Sequence, residues 1–442
     1  MVITGLRISR ISRGEGKKMA AMDRESVQTV FFAVIGYLFQ YSCNIYLARL
    51  LLPGDYGDFA VALSMLLLLS TALELGASKT IPKYIHLYKK NEDIPRITGL
   101  LRGFLTATLC ISALVTFLIA GIAYLDLEIA HKANSEQFHP LILALCFLPF
   151  IIPSNILASS LKCINPRVNS ELPRLSLYGL TLLFLWTYTA FGFDGNDWSG
   201  TALFGTANLI VLTIYIVLAF RYIPRHYLTI TPEYEWREWL PTSVPIMVSS
   251  ILFVGTRQAD LFMVEAFDAS EASVGYFAAA SQTAQGLITI YITLNLIYGS
   301  RIGKSITEGR EAIKKTLRNM AGFMGCFCLI FLLCLIFFGK YILGLFGPEY
   351  IQAYPTMILL TIAASVRVTS GGYITFLQYY GKQNQVLAVQ FGVLLLALVL
   401  NSMLIPRYSI FGAAVSSTIC FIIMSIFLTV RAMRLLRTVK SA

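Results

Sequence analysis

Runs of roughly twenty apolar residues recur along this chain, and each can cross a hydrocarbon core about 30 Å thick as a helix. We read about twelve of them, at 27–48, 58–78, 103–125, 138–161, 171–192, 199–220, 241–264, 273–299, 319–339, 351–378, 384–405 and 409–430. A backbone facing lipid has no water to bond to, so these runs are helices rather than open strands. Charged residues make up only 13% of the chain, about half the share of a soluble protein. No intervening loop is long enough to hold a folded domain. The work of the protein must therefore be done inside or across a bilayer.

Charge placement sets the expected orientation. The formal net charge is +11, which alone would invite a nucleic-acid partner. The basic residues, however, fall in alternate loops, and the other loops are acidic or neutral, which is the positive-inside pattern. This excludes a nucleic-acid role and predicts an even number of spans with both termini cytoplasmic. The basic first residues are not a cleavable signal, so the first span is expected to act as an uncleaved anchor. Met19 and Met22 leave the start open. The eight cysteines lie mostly in apolar runs and have no zinc-type spacing. The four histidines are scattered, so no metal site and no cofactor is read. A phosphate-binding GxxxxGK[ST] loop is absent, so the chain does not itself hydrolyse nucleotide. No enzymatic constellation is visible.

A faint repeat organises the runs. Tyr56-Gly57-Asp58-Phe59-Ala60-Val61-Ala62 has its echo 218 residues later in Val274-Gly275-Tyr276-Phe277-Ala278-Ala279-Ala280. His139-Pro140 matches Tyr354-Pro355, and Arg167-Val168-Asn169 matches Lys382-Gln383-Asn384, both at an offset of 215. The expected fold class is thus an all-α polytopic membrane protein, with twelve helices in two six-helix lobes around a central cavity. The divisions read as a basic segment 1–26, a first lobe 27–220, a polar linker 221–240, a second lobe 241–430 and a basic tail 431–442. Same-topology halves are parallel repeats about an axis along the membrane normal, and substrate sites lie between such halves.

Polar groups inside the apolar runs are the candidates for function. Tyr37, Gln40, Tyr41 and Asn44 share one face of the first span. Ser64, Thr71, Glu74 and Ser78 do so in the second, Gln258 joins the polar set of the seventh, and Gln282, Gln285, Thr289 and Thr293 line the eighth. Two readings account for such stripes: a wet cavity, or hydrogen bonds that glue the bundle. A charge at the bilayer centre costs about 3 kcal/mol on insertion scales, so Arg257, Arg367 and Arg49 are candidate cavity cations. Arg257 and Asp260, three residues apart, equally suit a salt bridge, and Arg49 equally suits snorkelling to the interface. Glu74 and Asp260 are candidates for proton or sodium coupling. Lys79 and Arg102 would mark the cytoplasmic mouth.

The corner Ala48-Arg49-Leu50-Leu51-Leu52-Pro53-Gly54-Asp55-Tyr56-Gly57 resembles a hallmark of the polysaccharide-transporter branch of the multidrug/oligosaccharidyl-lipid/polysaccharide (MOP) superfamily, which includes Wzx-type flippases. Leu75-Gly76, the Gly275-Tyr276-Phe277 corner with Asp260, Ile342–Tyr350, and Ile405–Ala414 (with Ser409 at a usual Gly) are similar to its later motifs, in the same order. The resemblance implies two lobes around a central cavity in the inner cell membrane. It implies a polyprenyl-linked oligosaccharide substrate whose head passes through protein while its tail stays in membrane lipid, with polymerase and glycosyltransferases as pathway partners. On this reading Arg257, Arg367 and the polar stripes supply the cations and donors that an anionic head needs. The alternatives are a small-molecule or drug antiporter of the same superfamily and a membrane-embedded glycan polymerase or ligase.

Overall fold

A computed structural model of the chain describes residues 31–32, 34–132, 140–164, 171–193, 195, 198–224, 227, 230–268 and 270–438. The basic segment 1–26, the start of the first span, His139, Arg167-Val168-Asn169 and the last four residues lie outside the described residues. Every regular element described is helical. In order they are α1 (31–50), α2 (Pro53–Leu73), α3 (Ala77–Lys90), α4 (Ile94–Lys132), α5 (Pro140–Cys146), α6 (Leu148–Ile164), α7 (Glu171–Ala190), α8 (Ser199–Tyr222), α9 (Trp236–Phe267), α10 (Glu271–Glu308), α11 (Arg310–Gly344), α12 (Tyr354–Tyr379) and α13 (Gln383–Thr438).

These make twelve crossings. α2 and α3 form one, interrupted at Leu75-Gly76, and α5 and α6 form another, bent by 47°. α13 holds two, because Ser409 has φ 51° and ψ −140° and folds the helix back on itself. Ser416 accordingly reaches the carbonyl of Ala397. By length and apolarity alone seven helices qualify as spans, or eight with the bent pair. Counting α13 as two crossings and adding α1, α7 and α10 brings the eight to twelve. The chain is a multi-pass membrane protein of two lobes.

Local chemistry explains the boundaries. Pro53 sits in the first turn of α2, where its missing N–H is no loss, and Asp55 follows where the helix dipole favours an acid. Gly76 takes φ 69°, a left-handed conformation that ends one helix and starts the next. The acids Asp55, Asp268, Glu271 and Glu349 mark one end of the molecule. The opposite end carries Lys83, Lys89, Lys90, Arg96, Arg237, Arg301 and Arg310 and, by the positive-inside rule, faces the cytoplasm.

The apolar core is distributed unevenly. At the outer end a single cluster crosses between lobes, joining Leu47, Tyr56 and Phe59 to Val274, Phe277, Phe346 and Tyr350. Toward the cytoplasm the lobes keep separate cores. The polar linker is fastened to the first lobe. Arg96 pairs with Glu233 and Glu235, each at 3.5 Å, and Thr98 donates to the carbonyl of Tyr227 at 3.0 Å. Trp236 and Trp239 stack with Phe104 in the first lobe's core. The start of α9 therefore packs with the first lobe, and its outer end packs with the second.

Candidate functional site

Two hollows meet at the middle of α9. The larger is a cleft of about 220 Å³ between lobes, lined by Thr71, Glu74, Gly76, Ser78 and Lys79 on one side and Ser250, Phe253 and Val254 on the other. The smaller, about 50 Å³, lies within the second lobe between α9, α10, α12 and the second arm of α13. Arg257, Asp260, Gln285 and Arg367 are among its lining.

The break between α2 and α3 builds the first side of the cleft. Glu74 caps the restart of the helix, its Oε1 accepting from the Ser78 N–H at 2.9 Å. The break is held against α9 by Ser243, whose hydroxyl donates to the Leu75 carbonyl. Lys79 Nζ donates to Ser250 Oγ at 3.0 Å. Lys83 reaches Thr242 at 3.4 Å, and Tyr84 donates to the carbonyl of Glu238 at 2.9 Å.

In the smaller hollow, Arg257 and Arg367 share one aromatic ring. Their guanidinium carbons stand 5.8 and 5.0 Å from the centroid of Phe253, and Arg367 also lies 5.0 Å from Phe421. A cation over a ring face is attracted by the ring quadrupole, which helps hold buried cations in an apolar lobe. Arg257 Nη2 also donates to Gln285 Oε1 at 2.8 Å, and Gln285 Nε2 donates in turn to Ser281. Arg367 is only 8% exposed, yet its Nη1 is buried without a hydrogen-bond partner. Both arginines thus face protein rather than lipid. Phe253 lines the larger cleft as well, so this one side chain stands between the cleft and the two cations.

Asp260 does not take the salt bridge that its spacing from Arg257 also allowed. Its carboxylate accepts from Asn401 Nδ2 at 2.8 Å and from the Ser417 hydroxyl. Among the described residues no ion pair joins it to Arg257. The three-residue spacing is correct for one face, but each side chain finds better partners on neighbouring helices.

The remaining candidates are scattered. Arg49 is a correction: it is exposed, and its Nε donates to the Leu345 carbonyl at 2.5 Å at the outer end, away from both hollows. Its long side chain reaches across the lobe boundary there. Tyr37 donates to the Gln282 carbonyl at 2.5 Å, and Tyr41 bonds Thr283 at 2.9 Å, so this stripe ties α1 to α10. Asn44 is buried, bonding Tyr56 and the carbonyl of Gln40. Neither Gln258 nor Gln282 is among the residues lining the two hollows, and Arg102 stands on α4 apart from the cleft. Sequence reasoning passed over Phe253, Ser250, Asn401 and Ser417. Asn401 alone carried a signal, as an amide in an apolar run.

Residues 25–298 match the family described as polysaccharide biosynthesis protein, and residues 245–403 match the MatE family. No curated protein matches the sequence. The fold is similar to an inward-facing multidrug resistance MATE family transporter of the MOP superfamily, at 13% identity over 91% of this chain and 96% of that one, with a TM-score of 0.72. It is similar to a MOP superfamily transporter from Pyrococcus furiosus, also at 13% identity, over 93% and 95%, with a TM-score of 0.66. A Vibrio cholerae MATE transporter is 16% identical over 95% and 98%, with a TM-score of 0.61. Fold and matches together define a transporter of the MOP superfamily. Within it, the chain belongs to the polysaccharide biosynthesis protein family, its Wzx-like transporters.

Proposed function

We propose that the protein is a flippase that carries a polyprenyl-pyrophosphate-linked oligosaccharide across the cytoplasmic membrane for surface polysaccharide assembly. The observation that carries this reading is the arginine pair on Phe253, with a donor of Arg367 left unpartnered in the lobe interior. Guanidinium groups present planar donors that match phosphate oxygens, and a desolvated site strengthens each such bond. The head group enters between the lobes from the cytoplasmic end, the lobes rock, and the head leaves outside while the tail stays in lipid. A polymerising enzyme at the outer surface would take the product. The family match over residues 25–298 supports a glycan cargo.

Asp260 is our candidate for coupling to protons or sodium. It is a buried carboxylate tied to both arms of α13, and Asn401 Oδ1 beside it has no hydrogen-bond partner. Glu74, at the break between α2 and α3, is the second candidate.

The test is a strain lacking the protein, complemented with R257A/R367A. The expected result is normal membrane insertion, loss of surface polysaccharide, and accumulation of lipid-linked intermediate on the cytoplasmic leaflet. Full export by the double variant would remove the cationic-site claim. The second reading is an ion-driven antiporter of small molecules, favoured by the match of residues 245–403 to MatE. It predicts gradient-dependent efflux of a soluble compound, and no lipid-linked intermediate would accumulate in the deletion strain.

A further inference from the structure

We propose that the hollow inside the second lobe binds one small monovalent anion of the halide class, with Arg257 and Arg367 as its cationic walls. Chloride is the abundant member of that class. The anion belongs to the protein at rest, whatever its cargo.

Charge sets the need. Two guanidiniums and one carboxylate, that of Asp260, line the hollow, so one positive charge is left over inside an apolar lobe. Among the described residues neither arginine pairs with an acid. Asp260 instead accepts from Asn401 and Ser417. Burying an ion without its opposite charge is costly, and ring contacts offset only part of that cost. Water would satisfy a donor but bring no charge. A monovalent anion supplies both, whereas a divalent one would turn the excess negative.

Donors are in place to hold it. Arg367 is only 8% exposed, and its buried Nη1 has no acceptor. Arg257 is oriented by its bond to Gln285, and Ser281, which accepts from Gln285, keeps its own hydroxyl proton to donate. The Asp260 carboxylate repels an anion, which sets the ion toward Arg367 and away from Ser417. The size agrees. A water needs about 10–15 Å³, so the hollow of about 50 Å³ takes a halide with little else. Pockets for drug-sized ligands start at about 300 Å³, so no sugar-bearing head group fits while Phe253 stands between hollow and cleft. A phosphate-bearing cargo would have to expel the halide.

The test uses the full chain in nanodiscs of neutral lipid, with sodium chloride exchanged for sodium gluconate at constant ionic strength. Gluconate is too large for the hollow. Thermal unfolding and the line width of the chloride NMR signal are the readouts. Chloride should raise the melting temperature by a few degrees, because a ligand of the folded state stabilises it, and its signal should broaden. Both responses should vanish in R367M and shrink in R257M. They should persist in R431M, which removes an exposed arginine. Equal melting of the wild type in the two salts, or a chloride response as large in R367M as in the wild type, would overturn the site. A flipping assay with a lipid-linked saccharide forms the second arm. No flipping in either salt, with the chloride response intact, sinks the flippase reading and leaves the anion site standing. Flipping with no chloride response does the reverse.

Discussion

Gly57 and Gly275, equivalent positions in the two halves, lie against each other at the outer end. A Cβ on Gly57 would fall 2.8 Å from the amide nitrogen of Gly275, and one on Gly275 would overlap the Pro53 carbonyl. Residues related by a pseudo-twofold axis can touch only near that axis, so it passes between the two corners. Both neighbours are backbone, which cannot swing aside. Replacing Gly57 by Ala should overpack the seam and cost about 1–3 kcal/mol. The expected outcome is a lower melting temperature and weaker transport from normally inserted protein. An unchanged melting temperature for both G57A and G275A would show that the lobes do not close there.

The same seam can be locked. The Cβ of Glu271 lies 3.5 Å from where a Cβ on Gly54 would sit, within the Cβ–Cβ range of disulfides, about 3.5–4.5 Å. The native cysteines are all free, and Cys43, Cys328 and Cys420 are buried. G54C/E271C should therefore cross-link under mild oxidation and stop transport until reduced. Cross-linking with transport undiminished would mean that the outer end need not open.

Much of this architecture was legible beforehand, and the reasons are specific. Twelve apolar runs announce themselves by length, and the 218-residue offset already paired Gly57 with Gly275. That the pair touches is a property of the axis, which no spacing reveals. The arginines were visible because a charge in an apolar run is rare. Phe253, which joins them, is one of 29 phenylalanines with no mark of its own. Whether Arg257 and Asp260 pair stayed open in the sequence because i,i+3 spacing reports one helix only. Asp260 is satisfied by Asn401 and Ser417, more than 140 residues away in sequence. Arg49, at the end of its run, suited a cavity cation and an interface residue equally, and its bond to the Leu345 carbonyl at the outer end fits the second reading.

Asp260 clamps three helical segments, since α9 meets both arms of α13 at its carboxylate. Hydrogen bonds to a charged group contribute about 1.5–3 kcal/mol each. D260A should therefore lower stability by roughly 3 kcal/mol or more, and D260N, which keeps one acceptor, by less. Thermal unfolding in nanodiscs measures both. If sodium or protons act here, the wild type should gain stability with the ion and D260N should not. Equal ion responses in the two proteins would remove Asp260 as the coupling group.

Gly76 has φ 69° and faces the Ser243 carbonyl, 2.7 Å from where its Cβ would be. An L side chain in the left-handed region costs about 1–2 kcal/mol, and the contact with α9 adds to this. G76A should straighten or loosen the break that positions Glu74 and Lys79. The expected result is reduced transport with a modest loss of stability. Wild-type transport in G76A would show that the break is not needed to form the cleft.

Arg367 separates a structural role from a functional one. Its guanidinium is buried and rests on Phe253 and Phe421, with Nη1 unsatisfied. The two ring contacts return about 0.5–2 kcal/mol each, set against several kcal/mol for burying an ion. A residue kept for stability would be destabilising to remove. A residue kept for an anionic ligand should be stabilising to replace with an apolar side chain of similar reach. R367M should therefore unfold at the same or a higher temperature, by up to about 1–4 kcal/mol, while transport is lost. R367K keeps the charge but loses the planar fork, and should retain a fraction of transport. Stability that falls sharply in R367M with transport preserved in the folded fraction would make Arg367 a packing residue and empty the smaller hollow of its proposed ligand.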